Sequence, residues 1–100
     1  MRLDPKDRKK EILAAGIKAA TVKGFNKVTL QDVARQAGCV HSLVLYYFGT
    51  SKQLRRAIMS EAIRTGDTRL VAQGLAMGDS KAKRAPAELK VAALAYLGGQ

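Results

Sequence analysis

The sequence predicts an all-α fold. Alanine, leucine, lysine and arginine dominate its 100 residues, and all four are strong helix formers. No segment alternates between apolar and polar residues at the period of two that a half-buried strand would show. Glycine and proline residues divide the chain into short segments, which favours several short helices over one long one.

The first helix is predicted to begin at Asp4-Pro5 and to end at Gly24. Asp4 is a favourable N-cap residue, and Pro5 suits the first turn because its missing N–H needs no partner there. Gly24 can adopt the left-handed conformation that ends many helices. Apolar and small residues recur at helical spacing and predict the buried stripe, namely Ile12, Ala15, Gly16, Ala19 and Ala20.

Two short helices are predicted next, joined by a tight turn at Gly38. Thr29 begins the earlier one, with Asp32 three residues later as a variant of the capping box. The later one is predicted from about His41 to Phe48. Two short helices joined in this way form a helix-turn-helix, in which the second helix enters the major groove of DNA.

A fourth helix is predicted from Thr50 or Ser51 to Gly66-Asp67, followed by one or two further short helices. The segment Gly78–Ala85 is polar and basic and predicts a loop, after which Pro86 opens a last helix. We expect residues 1–65 to form the DNA-binding domain and residues 66–100 a short helical extension. The extension's apolar residues are predicted either to form a dimer interface or to complete the monomer's core: Leu70, Val71, Leu75, Leu89, Tyr96 and Leu97.

The net charge of +10 favours a polyanionic partner. A positive field of this size attracts nucleic acid and makes the binding depend on salt. Residues 1–27 carry eight basic and three acidic side chains, so the N-terminal part is expected to face the DNA. The alternative is a basic surface that only keeps the protein soluble, or association with the ribosome.

Other classes of protein are disfavoured. Cys39 is the only cysteine, which rules out an intramolecular disulfide, and with His41 as the only histidine it is too little for a zinc site. There is no Gly-rich phosphate loop and no paired set of catalytic carboxylates. No apolar run reaches the length of a membrane span or a signal peptide. We therefore expect a cytoplasmic binding protein that is not an enzyme and has no cofactor, no metal and no membrane partner.

Spaced residues over roughly 8–60 resemble the N-terminal DNA-binding domain of the tetracycline-repressor (TetR) family. The resemblance rests on the following set: Ile12-Leu13-x-Ala15, Gly24-Phe25, Val28-Thr29-Leu30, Asp32-Val33-Ala34, Ala37-Gly38, Tyr46-Tyr47-Phe48, Lys52 and Leu54. It implies a homodimer that reads a palindromic operator with two helix-turn-helix heads.

The resemblance also implies which residues touch DNA. Thr29 would contact a phosphate, residues 40–47 would form the recognition helix and its start, and Lys52 would hold a second phosphate. The full expected set is Thr29, Val40, His41, Ser42, Leu45, Tyr46, Tyr47 and Lys52, with weaker backbone contacts from Lys6, Lys9, Lys10 and Lys27. The expected base readers within it are His41, Ser42 and either Leu45 or Tyr46.

Three positions depart from the family's usual pattern. Val40 stands where a serine usually caps the recognition helix, and Ser42 could take over the cap if the helix began later. Leu45 replaces a common tyrosine, which gives more weight to the hydroxyl of Tyr46. Three residues, and not the commoner two, separate Phe48 from Lys52.

Side-chain chemistry refines the expected roles within the recognition helix. Val44 and Phe48 are four residues apart and should both face the core. Tyr46 should then point outward as the DNA contact, whereas Tyr47 is expected to pack in part. Leu45 could read a thymine methyl group. Cys39 is expected to be buried and to have no redox role.

Family members usually carry a second helical domain with a ligand pocket, at least as long as the first. Here only some 35 residues follow the fourth helix, too few to enclose a drug-sized pocket. The chain is therefore either a piece of a longer ligand-responsive regulator or a short repressor without a small-molecule effector, and we expect the latter. The rival to sequence-specific repression is a helical module that binds protein, or nucleic acid of any sequence.

Overall fold

Seven α-helices follow one another along residues 4–98, the part of the chain that this computed structural model describes, and no strand occurs among these residues. The helices are α1 (Pro5–Lys23), α2 (Leu30–Ala37), α3 (His41–Phe48), α4 (Ser51–Thr65), α5 (Thr68–Met77), α6 (Ser80–Lys83) and α7 (Ala87–Gly98). The all-α prediction is confirmed.

Both ends of α1 follow the predicted chemistry. The Asp4 carboxylate accepts a hydrogen bond from the Lys6 backbone N–H at 3.0 Å, and the Gly24 N–H donates to the Ala20 carbonyl at 2.8 Å. Gly24 has a φ of 109°, which side chains other than glycine rarely tolerate. All five residues of the predicted apolar stripe of α1 are buried.

The first four helices share one apolar core. Its centre consists of side chains from α1, α2, α3 and α4 and from the loop between α1 and α2, all with no exposed surface or almost none: Ile12, Phe25, Val28, Val33, Val44, Leu54 and Ile58. Burying side chains of this size stabilises the fold by about 1.5–3 kcal/mol each. The same burial fixes the angle at which α2 and α3 stand on α1 and α4.

Three helices follow α4, one more than the upper limit predicted. The predicted loop Gly78–Ala85 contains α6, whose start is capped by Asp79, which accepts a hydrogen bond from the Ala82 N–H at 2.9 Å. Ala82 is completely buried, so the short helix is held by packing and not by its own propensity. Because Ala82 lies among lysine and arginine residues, the polarity of the segment predicted a loop.

The predicted interface residues of the C-terminal extension pack on the monomer's own core. Leu70 and Val71 are completely buried, and the other four are half-buried against the same cluster. The large apolar side chains that α7 leaves exposed are Val91 and Leu94, at 66% and 56%. The outward apolar face therefore lies on a different side of α7 from the residues that the sequence suggested.

The helix α5 connects the extension to the first four helices. It packs against α4 on one side and against α6 and α7 on the others. The Gln73 side-chain oxygen accepts a hydrogen bond of 2.6 Å from the Phe25 backbone N–H, in the loop between α1 and α2. Because an unpaired N–H in a partly buried loop is costly, this bond fixes the loop as well as the helix. The division after residue 65 stays a prediction.

Candidate DNA-binding site

A complete capping box fixes the start of α2. The Thr29 hydroxyl accepts from the Asp32 N–H at 3.1 Å, and the Asp32 carboxylate accepts from the Thr29 N–H at 3.0 Å. Thr29 itself is exposed. A hydroxyl that accepts a hydrogen bond keeps its own proton, which Thr29 can donate to a phosphate oxygen. The predicted N-cap role of Thr29 is confirmed.

Asp32 is held in its charged form. Its pKa is lowered, mainly because the Thr29 backbone N–H donates to the carboxylate and also because Lys23 lies 3.5 Å away. The Arg35 guanidinium is 3.8 Å from the same carboxylate. A negative charge at this position also interacts favourably with the N-terminal end of the α2 dipole. The anchor of Thr29 thus stays intact at neutral pH.

The turn between α2 and α3 is made by Gly38. Its φ of 70° and ψ of 35° are left-handed, and the next N–H, of Cys39, donates to the Ala34 carbonyl at 3.0 Å. A Cβ built on Gly38 would meet no atom within 4 Å, so conformation alone requires glycine here. Cys39 is half-buried against the core and not fully buried as expected.

The recognition helix α3 begins at His41. Val40 occupies the N-cap position in an extended conformation and makes no side-chain hydrogen bond to the helix. The alternative in which Ser42 caps a later start is therefore wrong. Because α3 starts this early, His41 and Ser42 both lie in its first turn, where a recognition helix meets the DNA.

One side of α3 faces the core and the other is exposed. Val44 and Phe48 are buried, at 0% and 8%, as predicted. Tyr46 is 81% exposed and Leu45 is 45% exposed, while Tyr47 is half-buried with its ring edge-on to Tyr46 at a centroid distance of 5.2 Å. The exposed side therefore offers a phenol hydroxyl and an aliphatic group next to each other.

The additional loop residue before Lys52 is accommodated at the start of α4. Thr50 caps this helix, and its hydroxyl and backbone N–H both bond to Gln53 in a second capping box. Gly49 has a φ of 78°, and a Cβ there would collide with the side-chain oxygen of Gln53. Lys52 consequently lies exposed in the first turn of α4.

The four weaker lysine candidates are exposed, but they lie in different surroundings. The Lys9 ammonium stands 5.6 Å from the centre of the Phe48 ring, which brings α1 close to the end of the recognition helix. Lys10 acts electrostatically on Glu61 of α4. Lys6 belongs to the capped first turn of α1, and Lys27 to the loop before Thr29. Lys9 therefore lies next to α3.

Sequence reasoning did not single out the arginines of α4. The Arg55 guanidinium donates to the Val28 carbonyl at 3.4 Å, across the gap between α4 and the loop that precedes Thr29. Arg56 lies beside it and is exposed. No short-range pattern marks a contact between residues that are 27 positions apart.

Two further observations concern residues 4–98. No helix there is both long and apolar enough to cross a membrane. No group of three or more histidine, cysteine, aspartate or glutamate residues is arranged there to hold a metal ion.

Comparison with known proteins identifies the region that contains this surface. Residues 12–58 match the family model described as bacterial regulatory proteins, tetR family. The match runs from α1 through the helix-turn-helix into α4. No curated protein and no solved structure is significantly similar to the chain.

Proposed function

Residues 12–58 form the helix-turn-helix DNA-binding domain of the TetR family, and from this premise we propose that the chain represses transcription by binding a specific double-stranded DNA sequence. Domains of this family belong to DNA-binding transcription regulators. The proposal adds the repressor role, the palindromic operator, the dimer and the residues that make the contacts.

One observation carries the proposal: the exposed side of α3 has the composition of a base-reading surface. His41 and Leu45 are four residues apart, as are Ser42 and Tyr46, so they form two neighbouring pairs along α3. All four are exposed, whereas Val44 between the two pairs is buried. Together they offer hydrogen-bonding groups and an aliphatic group, which read base edges and thymine methyl groups respectively.

Phosphate contacts on both sides of α3 would position this surface. Thr29 lies at the start of α2 and Lys52 at the start of α4, so one precedes and the other follows the recognition helix. Such contacts set the register on the duplex without reading its sequence. Val40 and Tyr47 would contact the backbone at the two ends of α3. Lys6, Lys9, Lys10 and Lys27 would strengthen the binding electrostatically.

We include a homodimer in the proposal. A single helix-turn-helix makes a small interface, whereas two linked heads on a palindrome gain avidity. The exposed Val91 and Leu94 of α7 provide an apolar surface, outside residues 12–58, on which a second copy could pack. Pairing through α7 would leave α3 of each copy accessible to DNA.

The proposal places the protein in the cytoplasm, with its DNA, as a binding protein and not an enzyme. It assigns no small-molecule effector. The helices α5 and α7 pack against each other, and Leu70, Val71 and Ala93 of these two helices are completely buried. A drug-sized ligand would need an open space between them.

Binding-site selection from random duplexes, followed by footprinting on the selected sequence, tests the proposal. We expect a palindromic site, bound by a dimer at least a thousandfold more tightly than random DNA. His41→Ala and Tyr46→Ala should each reduce this preference, whereas Ser60→Ala, an exposed change on α4, should not. Equal affinity for all sequences would refute it.

The second candidate is a helical module that coats nucleic acid without sequence preference, which the net charge of +10 favours. It predicts that selection yields no consensus and that Tyr46→Ala binds like the unaltered protein. The same experiments therefore separate the two candidates.

A further inference from the structure

A concavity of about 350 Å³ lies between the start of α4 and α6, beside the proposed phosphate contact of Lys52. Four cationic side chains are prominent in its lining.

The charge of the concavity is strongly one-sided. Lys52, Arg55, Arg56 and Arg84 contribute four positive charges against the one negative charge of Asp79. The carboxylate of Asp79 already accepts a hydrogen bond from the Ala82 N–H as the N-cap of α6. The concavity thus attracts an anion, and arginine guanidinium groups match the geometry of phosphate oxygens especially well.

The concavity is continuous with the proposed DNA-binding surface. Lys52 belongs to both. The bond from Arg55 to the Val28 carbonyl holds the second turn of α4 against the residue that precedes Thr29. The basic surface therefore runs from Thr29 and Lys52 along α4 to Arg84, outside residues 12–58.

We propose that this concavity binds the DNA backbone and that Arg56 and Arg84 hold a phosphate beyond those contacted by the helix-turn-helix. The inference rests on the proposed function, since it extends the same DNA footprint onto α6. Arg56 and Arg84 are both exposed, so their guanidinium groups can reach a duplex that lies against Lys52. The C-terminal extension then takes part directly in DNA binding.

Salt dependence tests the inference, because each phosphate contact releases counterions. We compare the unaltered protein with Arg84→Ala on the selected duplex from 50 to 200 mM salt. The slope of log K against log salt should be shallower by about 0.9 for Arg84→Ala. The affinity of the unaltered protein divided by that of Arg84→Ala should therefore fall about threefold over this range. Arg84→Lys keeps the charge and should restore the slope. All variants should keep the same preferred sequence.

Arg64→Ala is the matched control. It removes the same positive charge from α4, outside the concavity and 12 residues, or about 18 Å along the axis, beyond Lys52. Its slope should equal that of the unaltered protein. Thermal melting checks that each variant is folded, and Arg84→Ala should melt normally because Arg84 bonds to α6 through its backbone N–H.

A gain-of-binding pair gives an independent test. Asp79→Asn removes the one negative charge of the concavity but keeps a good N-cap residue, so affinity should rise severalfold at low salt. Asp67→Asn makes the same change at the N-cap of α5, away from the concavity, and should leave affinity unchanged.

The outcomes separate this inference from the proposed function. Absence of any preferred sequence for the unaltered protein refutes the proposed function. Specific binding with equal slopes for Arg84→Ala, Arg64→Ala and the unaltered protein refutes the inference alone. A loss of slope in Arg84→Ala that Arg84→Lys restores supports it, as does loss of a protected phosphate at the edge of the footprint.

Discussion

Gly74 of α5 is a position where two opposing effects of one methyl group can be compared. In a helix interior, alanine is more favourable than glycine by about 1 kcal/mol. A Cβ on Gly74, however, would lie 2.5 Å from the Met59 Cε and 2.8 Å from the Ala82 Cβ. Met59 and Ala82 are both completely buried, but the Met59 Cε ends a flexible side chain and can shift within the core, whereas the Ala82 methyl group is fixed to the backbone.

We expect Gly74→Ala to destabilise the protein. Forcing an additional methyl group into a packed core costs typically about 1–3 kcal/mol, and the contact with the fixed Ala82 methyl group favours the upper end. After subtraction of the gain in helix propensity, about 2 kcal/mol remains. For a domain of this size the melting temperature should fall by about 8–16 °C.

Thermal unfolding followed by circular dichroism measures the change, and two further variants isolate its cause. Ala76→Gly, at an exposed position of the same helix, reports propensity alone and should cost about 1 kcal/mol. Ala82→Gly combined with Gly74→Ala removes the methyl group that is in the way, so the double variant should be more stable than the sum of the single changes. A Gly74→Ala protein that melts at or above the normal temperature would refute the reasoning.

Four further predictions concern the recognition surface and its support. Tyr46→Phe should weaken operator binding about fivefold, the worth of a hydrogen bond to an uncharged base, and should reduce the preference for the operator without changing the melting temperature; an equal loss of preference in Tyr47→Phe, which is assigned to the backbone, would contradict the assignment. Replacing thymine by uracil at a base contacted by Leu45 should weaken binding about fourfold, at about 0.8 kcal/mol per methyl group, and Leu45→Ala should abolish the difference; titrations on matched duplexes measure both. Thr29→Ala should cost about 1 kcal/mol of stability and also weaken DNA binding, whereas Thr29→Ser should preserve both; unchanged unfolding of Thr29→Ala would contradict the capping box. The pKa of Asp32 is lowered in the folded protein, so its stabilising contribution is present at neutral pH and is lost as the pH falls through the folded pKa. The difference in melting temperature between the unaltered protein and Asp32→Asn should therefore be smaller at pH 3 than at pH 7. A difference that does not change with pH would contradict this role of Asp32.

Local chemistry made most of the first four helices predictable. Asp4, Thr29, Gly24 and Gly38 act within a few residues of their own positions, so the caps and ends could be inferred directly from the sequence. The core face of α3 followed from the four-residue spacing of its buried side chains. These signals need no knowledge of the tertiary structure.

Contacts between distant residues could not be predicted in the same way. The bond from Arg55 to Val28 and the burial of Ala82 both depend on how separate helices pack. Residues 91–97 of α7 are all apolar, so the sequence does not show which side of the helix is covered, and the position of α5 decides it. The basic concavity arises from the same packing, since Arg84 is 32 positions beyond Lys52.

The composition of α3 has a consequence for the kinetics of target search. The helix contains no lysine, arginine, aspartate or glutamate, whereas cationic side chains lie on α1, α4 and α6 around it. Attraction to DNA and sliding along it would therefore depend on the surrounding charges and respond steeply to salt. Dwell time on the correct sequence would depend on uncharged groups of α3, which salt screens weakly. Association rates should fall as salt rises, while the ratio of dwell times on matched and mismatched operators stays nearly constant.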